Sequence, residues 1–335
     1  MKEFIASFNK KIKRIESAPS YSGKNDHFIP QFLLRNFGIK KDVGKSTHIF
    51  EYKRAEADPK VRPIKKVASK SGFYDVKNVS SKAADNLPDR IETETIESMA
   101  VPLINKLKSI DSGGYLSDEE LNVLSSFVSG LYVRTPSFRN QIKHYLIYLL
   151  ENDIIKVEDL NKRTIKAIFQ DNKFNIKIED IRKFKPRKYS DIDFILNSHL
   201  VVISGLIRIG LSEHIFNRDV VILESAEDVF LINDNPVFAF NENEKIEWPF
   251  GFEFGEDQFV YLPISPNRCL CFSRFNKKTM PVIVYKLGAD KEKIVDLINF
   301  NLIYRAEESV YFFNENLEIQ KNLNQTKKLH NYNFC

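Results

Sequence analysis

Residues 27–37 read HFIPQFLLRNF, an apolar run that is interrupted by His27, Pro30, Gln31 and Arg35. The apolar residues predict a strand, and Pro30, which has no N–H group, places it at a sheet edge or a strand start. In an extended strand, side chains four residues apart project from the same face, so His27, Gln31 and Arg35 share one face. Three polar groups do not all fit in a dry apolar core. We therefore expect this face to line a cleft; the alternative is a hydrogen-bonded scaffold histidine.

The hydrophobic period along the chain predicts three successive regions. Residues 27–76 and 217–314 carry short apolar runs typical of strands, and the second of these regions also contains one helix, at 290–303. Residues 88–212 carry apolar positions at helical spacing. This order predicts an α+β fold with a β-rich N-terminal segment, a central helical region and a C-terminal antiparallel or mixed sheet. We expect the two β-rich portions to meet across the helices.

The chain divides into one long domain between two short ends. Residues 1–20 form an amphipathic, basic N-terminal extension, which would dock on the body of the protein, on a partner chain or on an anionic surface. Residues 21–320 form a single domain, and residues 321–335 form a polar, basic tail. No apolar run reaches the length of a transmembrane helix, so we expect no membrane partner.

Composition places the protein in the cytoplasm and excludes several classes of function. The 335 residues carry a net charge of +5, which permits contact with nucleic acid without requiring it. Only 12 glycines are present, which argues against Gly-rich nucleotide folds. The three cysteines do not form a disulfide framework. Cys269 and Cys271 fall on one face of a probable strand, and nothing supplies the other ligands of a zinc site.

Two further segments place polar residues where function is often found. Arg134 precedes Pro136, at which a helix breaks and a new one starts with Thr135 as N-cap. A guanidinium at this elbow suits a phosphate or a carboxylate; the alternative is an arginine that caps helix carbonyl groups. Asp234 and Asn235 lie in an Asx-Pro turn after four apolar residues, which is either a structural turn or a functional one at the end of a sheet.

Other charged patterns give weaker signals for nucleic acid chemistry. A basic run at residues 182–188 is a candidate nucleic-acid-binding segment, with a solvated loop as the alternative; its cations are Arg182, Lys183, Lys185, Arg187 and Lys188. Asp219 and Glu224 flank a strand in a manner similar to nuclease metal sites, but no E-x-K follows, so we predict no metal site.

Residues 139–144, RNQIKH, match the Arg-and-His motif of HEPN-type ribonucleases, which usually act as dimers. In that family, the two side chains act on an RNA 2′-hydroxyl group and on the scissile phosphate. The alternative is that Arg139 and His144 are two solvated residues on a polar helix face.

The order of the motifs resembles a known family. HFIPQFLLRNF, FYDV, RTP, NDNPV and LPISP occur in this order over residues 26–313, and together they resemble the bacterial domain-of-unknown-function family 4238. That family opens with H-x-x-P-Q-x-x-L-x-x-F and carries a Ser/Asp-Asn-Pro turn before a Pro-Leu-Ser-Pro segment. Asn233 and Ile264 depart mildly from the pattern. The resemblance implies a common fold, a common site and, for some members, a place near genes for phage defence.

The sequence leads to one preferred function and two alternatives. We expect a cytoplasmic bacterial effector that acts on a phosphate-containing substrate, is nuclease-like and defends against phage. The expected catalytic residues are His27, Gln31, Arg134, Asp234 and Asn235. The first alternative is a non-catalytic module that senses a ligand or binds a partner protein, and the second is a HEPN-like ribonuclease. Nucleic acid, a second copy of the chain and a defence-system protein are the partners to test, and no cofactor is indicated.

Overall fold

The computed structural model describes residues 26–39, 47–56, 58–71, 73, 92–152, 208–240, 259–275, 281–288 and 291–314. The helices are α1 (Gln31–Asn36), α2 (Ser98–Ser109), α3 (Asp118–Val133), α4 (Pro136–Glu151), α5 (208–216) and α6 (Lys291–Arg305). The strands are β1 (Asp26–His27), β2 (His48–Lys53), β3 (Lys60–Pro63), β4 (Ser69–Lys70), β5 (Gly114–Tyr115), β6 (Arg218–Glu224), β7 (Ile232–Asn233), β8 (Phe238–Phe240), β9 (Phe259–Ser265), β10 (Arg268–Phe275), β11 (Pro281–Lys286) and β12 (Ser309–Phe312). A π-helical segment, Glu92–Glu97, runs directly into α2.

Two sheets carry most of these strands. The six-stranded sheet has the order β5-β11-β6-β10-β9-β8, and β11 is parallel to β6 while the other neighbours are antiparallel. The four-stranded sheet has the order β3-β2-β12-β7 and is antiparallel throughout. A third, small sheet pairs β1 with β4. Helices and mixed sheets together confirm the predicted α+β fold.

The two β-rich portions meet within one sheet, so the expectation that they meet across the helices is wrong. Strand β12 lies between β2 and β7, with Phe312 opposite Phe50 and Val310 opposite Asn233. The rings of Phe50 and Phe312 stack with their centroids 5.8 Å apart. Backbone N–H and C=O groups need partners when they are buried, and the central position of β12 provides them on both edges. The hydrophobic period gives no information about which strands pair.

The six-stranded sheet separates two apolar cores. In β10, Leu270 and Phe272 pack in a first core with α2 and α3, whereas Cys269 and Cys271 pack in a second core with α6. This alternation follows the two-residue period of a strand and places both thiols on one face, as their spacing predicts. Burial raises the pKa of the Cys271 thiol to about 12. Cys271 is therefore an apolar packing group and not a reactive thiol.

Helices α3 and α4 begin where the sequence predicts. The Ser117 hydroxyl accepts from the Glu120 N–H group at 3.2 Å, and the Glu120 carboxylate accepts from the Ser117 N–H group at 2.9 Å, which is a capping box. At the elbow, the Thr135 hydroxyl accepts from the Phe138 N–H group at 3.3 Å. Arg134 is the last residue of the α3 side of this elbow. The two caps and the break are confirmed.

The opening stretch contains a helix, so the prediction that it forms a strand is wrong. Only its first residue, His27, belongs to a strand, and α1 begins four residues later. Pro30 precedes α1 with an extended backbone, φ −56° and ψ 135°. Its carbonyl group accepts from the N–H groups of Leu33 and Leu34 at 3.0 and 3.1 Å, which starts the helix. Because α1 has only 6 residues, its apolar positions do not distinguish a helix from a short buried strand.

Candidate functional site

Three polar side chains of the opening stretch form a hydrogen-bonded chain, which we call the α1 polar row: His27, Gln31 and Arg35. The Gln31 amide nitrogen lies 3.0 Å from Nε2 of His27, and Arg35 Nη2 donates to the Gln31 amide oxygen at 3.0 Å. An amide nitrogen only donates, so in this arrangement His27 Nε2 accepts. The three side chains share one face, as predicted, but this face is formed by a strand end and one turn of helix and not by a strand.

The surroundings of His27 favour its neutral form. Burial lowers the pKa of His27, and the positive charges of Arg134 and Arg35 lower it further, while the backbone carbonyl of Val67 opposes this shift. A neutral imidazole that accepts at Nε2 carries its proton on Nδ1. His27 is thus a half-buried base in which the nitrogen that points along the row is unprotonated at neutral pH.

The row is electropositive because Arg35 has no acidic partner among the described residues. Its guanidinium is half-buried and contacts the neutral Gln31 amide. Some other cations of the protein are paired with carboxylates, as in Lys106 with Glu120 at 2.6 Å. Unused donors on a half-buried guanidinium favour an anionic ligand such as a phosphate.

A second cation lies beside the row on α2. Lys108 Nζ donates to Asn36 Oδ1 at 2.6 Å, and Asn36 Nδ2 donates to the Ile264 carbonyl oxygen at 2.9 Å. Burial lowers the pKa of Lys108. Asn36 thus ties the end of α1 to strand β9 and to a second half-buried positive charge.

Arg134 has internal partners on two sides. Its Nε donates to the Phe28 carbonyl oxygen at 2.9 Å, and its Nη1 lies 2.8 Å from a Glu97 carboxylate oxygen. The side chain is only 5% exposed, so its charge is balanced inside the protein. The elbow arginine therefore joins the opening stretch, the π-helical segment and α3.

Asp234 also has internal partners. Its Oδ1 accepts from the Glu307 N–H group at 2.8 Å, and its Oδ2 accepts from the N–H groups of Glu308 and Ser309 at 2.6 and 2.8 Å. Burial raises the pKa of Asp234 to about 6, although these three N–H groups favour its charged form. The carboxylate caps the segment that enters β12.

Asn235 completes the turn that holds Asp234. Its N–H group donates to Asn233 Oδ1 at 3.1 Å, and Asn233 Nδ2 donates to the Leu302 carbonyl oxygen on α6 at 2.6 Å. The first of these is a local Asx bond of the kind that the turn signature predicts. Asn235 itself is 8% exposed.

The structure brings the predicted site residues together in two groups. His27 contacts Gln31 directly, and Arg134 joins them through the carbonyl group of the residue after His27. Asp234 and Asn235 belong to the other group, around the entry to β12. Asn140 of the elbow helix connects the two regions by donating to Glu307 at 2.8 Å. That all five predicted residues line one ligand cleft stays a prediction.

Arg139 and His144 lie in different environments. Arg139 is 7% exposed, its guanidinium carbon lies 3.7 Å from the ring centroid of Phe73, and it donates to the Phe73 carbonyl oxygen. His144 is exposed. The expectation that both are solvated is wrong for Arg139, because a planar guanidinium can stack on an aromatic ring that also shields it.

The acidic residues around β6 do not gather into a metal site. Arg268 forms an ion pair with Glu224 and also donates to the carbonyl groups of Leu107 and Ile110 at 3.0 and 2.8 Å. Over the described residues, no group of three or more His, Cys, Asp or Glu side chains could hold a metal ion. The basic run at residues 182–188 and the N-terminal extension lie outside the described residues.

Sequence reasoning missed two acidic residues with internal partners, the half-buried Glu97 and the buried Glu51. Glu97 is the partner of Arg134. Glu51 is 4% exposed, accepts from the Ser309 hydroxyl at 3.1 Å, and has its pKa raised by burial. A signal for Glu51 was available: it is two residues from the buried Ile49, and a strand period of two places both on the inward face.

The fold and these contacts define the class of this protein as α+β. It carries an electropositive polar row on a body that ion pairs of buried arginines and backbone caps hold together. The chain belongs to the family described as protein of unknown function DUF4238, whose sequence profile matches residues 25–316. This confirms the resemblance carried by the order of the motifs. Neither a curated protein nor a solved structure matches the chain. No helix in the described part of the chain is long and apolar enough to cross a membrane.

Proposed function

We propose that this protein acts on a phosphate-containing substrate, in a nuclease-like reaction, at the α1 polar row. One observation carries the proposal: a neutral histidine base lies in one hydrogen-bonded row with a guanidinium that contacts no carboxylate among the described residues. A guanidinium that has no carboxylate partner can bind a phosphate group, and a base beside it can remove a proton from a nucleophile.

The row offers two functions that phosphodiester cleavage uses, an anion-binding group and a base. Arg35 would bind a non-bridging phosphate oxygen and stabilise the charge that grows there in the transition state. His27 would accept the proton of the attacking hydroxyl group at Nε2. Arg134, which has internal partners and bonds the carbonyl group next to His27, would position the row without touching the substrate.

We propose nucleic acid as the substrate class and a cytoplasmic effector of phage defence as the cellular role. The buried, unpaired thiols of Cys269 and Cys271 agree with a reducing compartment. The defence role is supported by the family resemblance. A second copy of the chain or a defence-system protein is the assembly partner that this role calls for.

Arg35→Ala tests the substrate class. Lys293→Ala is the control variant, because it removes an exposed positive charge from α6. Affinity is measured by fluorescence anisotropy with labelled single-stranded RNA and DNA oligonucleotides. A hydrogen bond to a charged group contributes about 1.5–3 kcal/mol, so Arg35→Ala should weaken binding roughly 10- to 150-fold. Lys293→Ala should bind as the wild type does. Equal affinities for the two variants would contradict a phosphate site at the row.

A second candidate is a module that recognises an anionic ligand without chemistry. It is favoured by the internal partners of Arg134 and Asp234, because these contacts leave a single base and one cation of the predicted site for a ligand. Tight, Arg35-dependent binding with no cleavage product on prolonged incubation would select this candidate. Cleavage that stops in His27→Ala and continues in His144→Ala would select the nuclease.

A further inference from the structure

The Gln31 side chain shows which chemical groups fit between Arg35 and His27. Its amide oxygen accepts from the Arg35 guanidinium, and its amide nitrogen donates to His27 Nε2, each at 3.0 Å. A ligand that takes this place must present the same pair of groups: a negatively charged acceptor toward Arg35 and, next to it, a donor toward His27. A phosphate diester alone supplies only acceptors, and it would leave Nε2 without a partner.

We infer that the substrate is RNA and that its 2′-hydroxyl group and the adjacent phosphate displace the Gln31 amide. This inference rests on the proposed function and narrows it. In RNA, a 2′-hydroxyl group lies beside the 3′-phosphate of the same ribose, so one nucleotide supplies both a donor and an anionic acceptor. DNA has the phosphate but lacks the donor, and the 2′-hydroxyl group is the feature by which proteins distinguish the two.

The same placement defines the reaction. The 2′-hydroxyl proton moves to His27 Nε2, the 2′-oxygen forms a bond to phosphorus, and the bond from phosphorus to the 5′-oxygen breaks. The departing 5′-oxygen takes a proton from water, and the imidazolium later returns its proton to the resulting hydroxide. The products are a 2′,3′-cyclic phosphate and a 5′-hydroxyl end, and no oxidant, reductant or bound metal is consumed.

The two contacts of Gln31 also determine what removing it does. Gln31 is half-buried at the first position of α1, and its amide shields the nitrogen that the reaction uses. A substrate must displace the amide before it contacts His27. Gln31→Ala removes this competitor. We expect this variant to bind the RNA oligonucleotide more tightly than the wild type does, because the substrate no longer has to displace the amide.

The experiment uses the full chain in excess over three oligonucleotides of one sequence: RNA, DNA and 2′-O-methyl RNA. Products are separated on gels and their ends are identified by mass spectrometry, with and without EDTA. We expect cleavage of RNA alone, a cyclic phosphate end, and no effect of EDTA. His27→Ala should slow cleavage by roughly 100-fold or more, as expected for loss of a general base. His144→Ala, which changes an exposed histidine, should cleave as the wild type does.

The possible results separate this inference from the proposed function. Cleavage of DNA or of 2′-O-methyl RNA at the rate of RNA would overturn the inference and leave the proposed function standing. A folded Gln31→Ala variant that binds RNA more weakly than the wild type would also overturn it, because the amide would then contact the substrate and not compete with it. If no oligonucleotide is bound or cleaved, both fail. The comparison of substrates and product ends uses the wild-type chain, so it holds even where a variant does not fold.

Discussion

Replacing Arg134 with alanine should destabilise the protein far more than replacing Arg35 with alanine. Arg134 is 5% exposed, and its removal leaves the Glu97 carboxylate and the Phe28 carbonyl group without this partner. Breaking a buried ion pair by removing one partner costs about 3–5 kcal/mol. Arg35 is half-buried and donates to a neutral amide, so its loss should cost about 0.5–1.5 kcal/mol.

The assay is urea denaturation of the wild type and both variants at neutral pH, with ligand binding measured on the same samples. We expect Arg134→Ala to lower the free energy of unfolding by about 3–5 kcal/mol. Where Arg134→Ala is still folded, it should keep the affinity for oligonucleotides. Arg35→Ala should show the reverse: a near-native midpoint and lost affinity. If Arg134→Ala loses less than about 1 kcal/mol and binds nothing, then Arg134 touches the ligand and our assignment of the two arginines is wrong.

Three further results are expected. Arg139→Ala should lower the free energy of unfolding by about 1–3 kcal/mol, because it leaves a buried carbonyl group without a donor. His144→Ala, which changes an exposed residue, should leave the free energy of unfolding unchanged, and both variants should keep their activity well below the melting temperature. Because the pKa of His27 is lowered, folding releases protons below pH 6.5, so the stability that His27 contributes is full above that value and is lost as the pH falls below it. The difference in the free energy of unfolding between the wild type and His27→Gln, measured between pH 5 and 7.5, should show this loss, because the raised pKa of Asp234 acts in both proteins. Charge reversal across residues 182–188 should weaken nucleic acid binding and flatten its salt dependence in anisotropy titrations, and an unchanged slope would assign the run to a solvated loop.

Local signals in the sequence predicted the features that depend on neighbouring residues. The capping box at Ser117 and the break before Pro136 each involve groups within a few positions of one another, and both are present. Helix α1 escaped prediction because it has 6 residues and only its first turn is fixed by Pro30. Strand β12 was predicted, but its pairing with β2 depends on contacts across more than 200 positions of the chain.

In the predicted site, too, the sequence indicated features that depend on neighbouring residues and missed contacts between distant ones. Asp234 reads as a turn residue with a spare carboxylate, but its three donors are 73 to 75 positions away. Nothing in the sequence around Asp234 indicates that these N–H groups arrive there. The chain His27–Gln31–Arg35, by contrast, has members four residues apart, and the sequence did indicate that these side chains share a face. The predicted element was wrong, while the predicted shared face was right.

A polar residue at a position where packing favours an apolar one can have either of two roles: it holds segments of the protein together, or it binds a ligand. The partners of its polar atoms distinguish the two roles. Arg134 and Arg268 are nearly buried, and each has one nitrogen on a carboxylate and another on a backbone carbonyl group. Such arginines hold segments together, because a buried guanidinium is stable only when acceptors surround it. Arg35 is half-buried, and among the described residues its guanidinium donates to one neutral oxygen. Its positive charge helps to lower the pKa of His27, the histidine of the row. The charge of Arg134 is balanced by the Glu97 carboxylate, whereas Arg35 contacts no carboxylate among the described residues. We therefore assign substrate binding to Arg35 and positioning to Arg134.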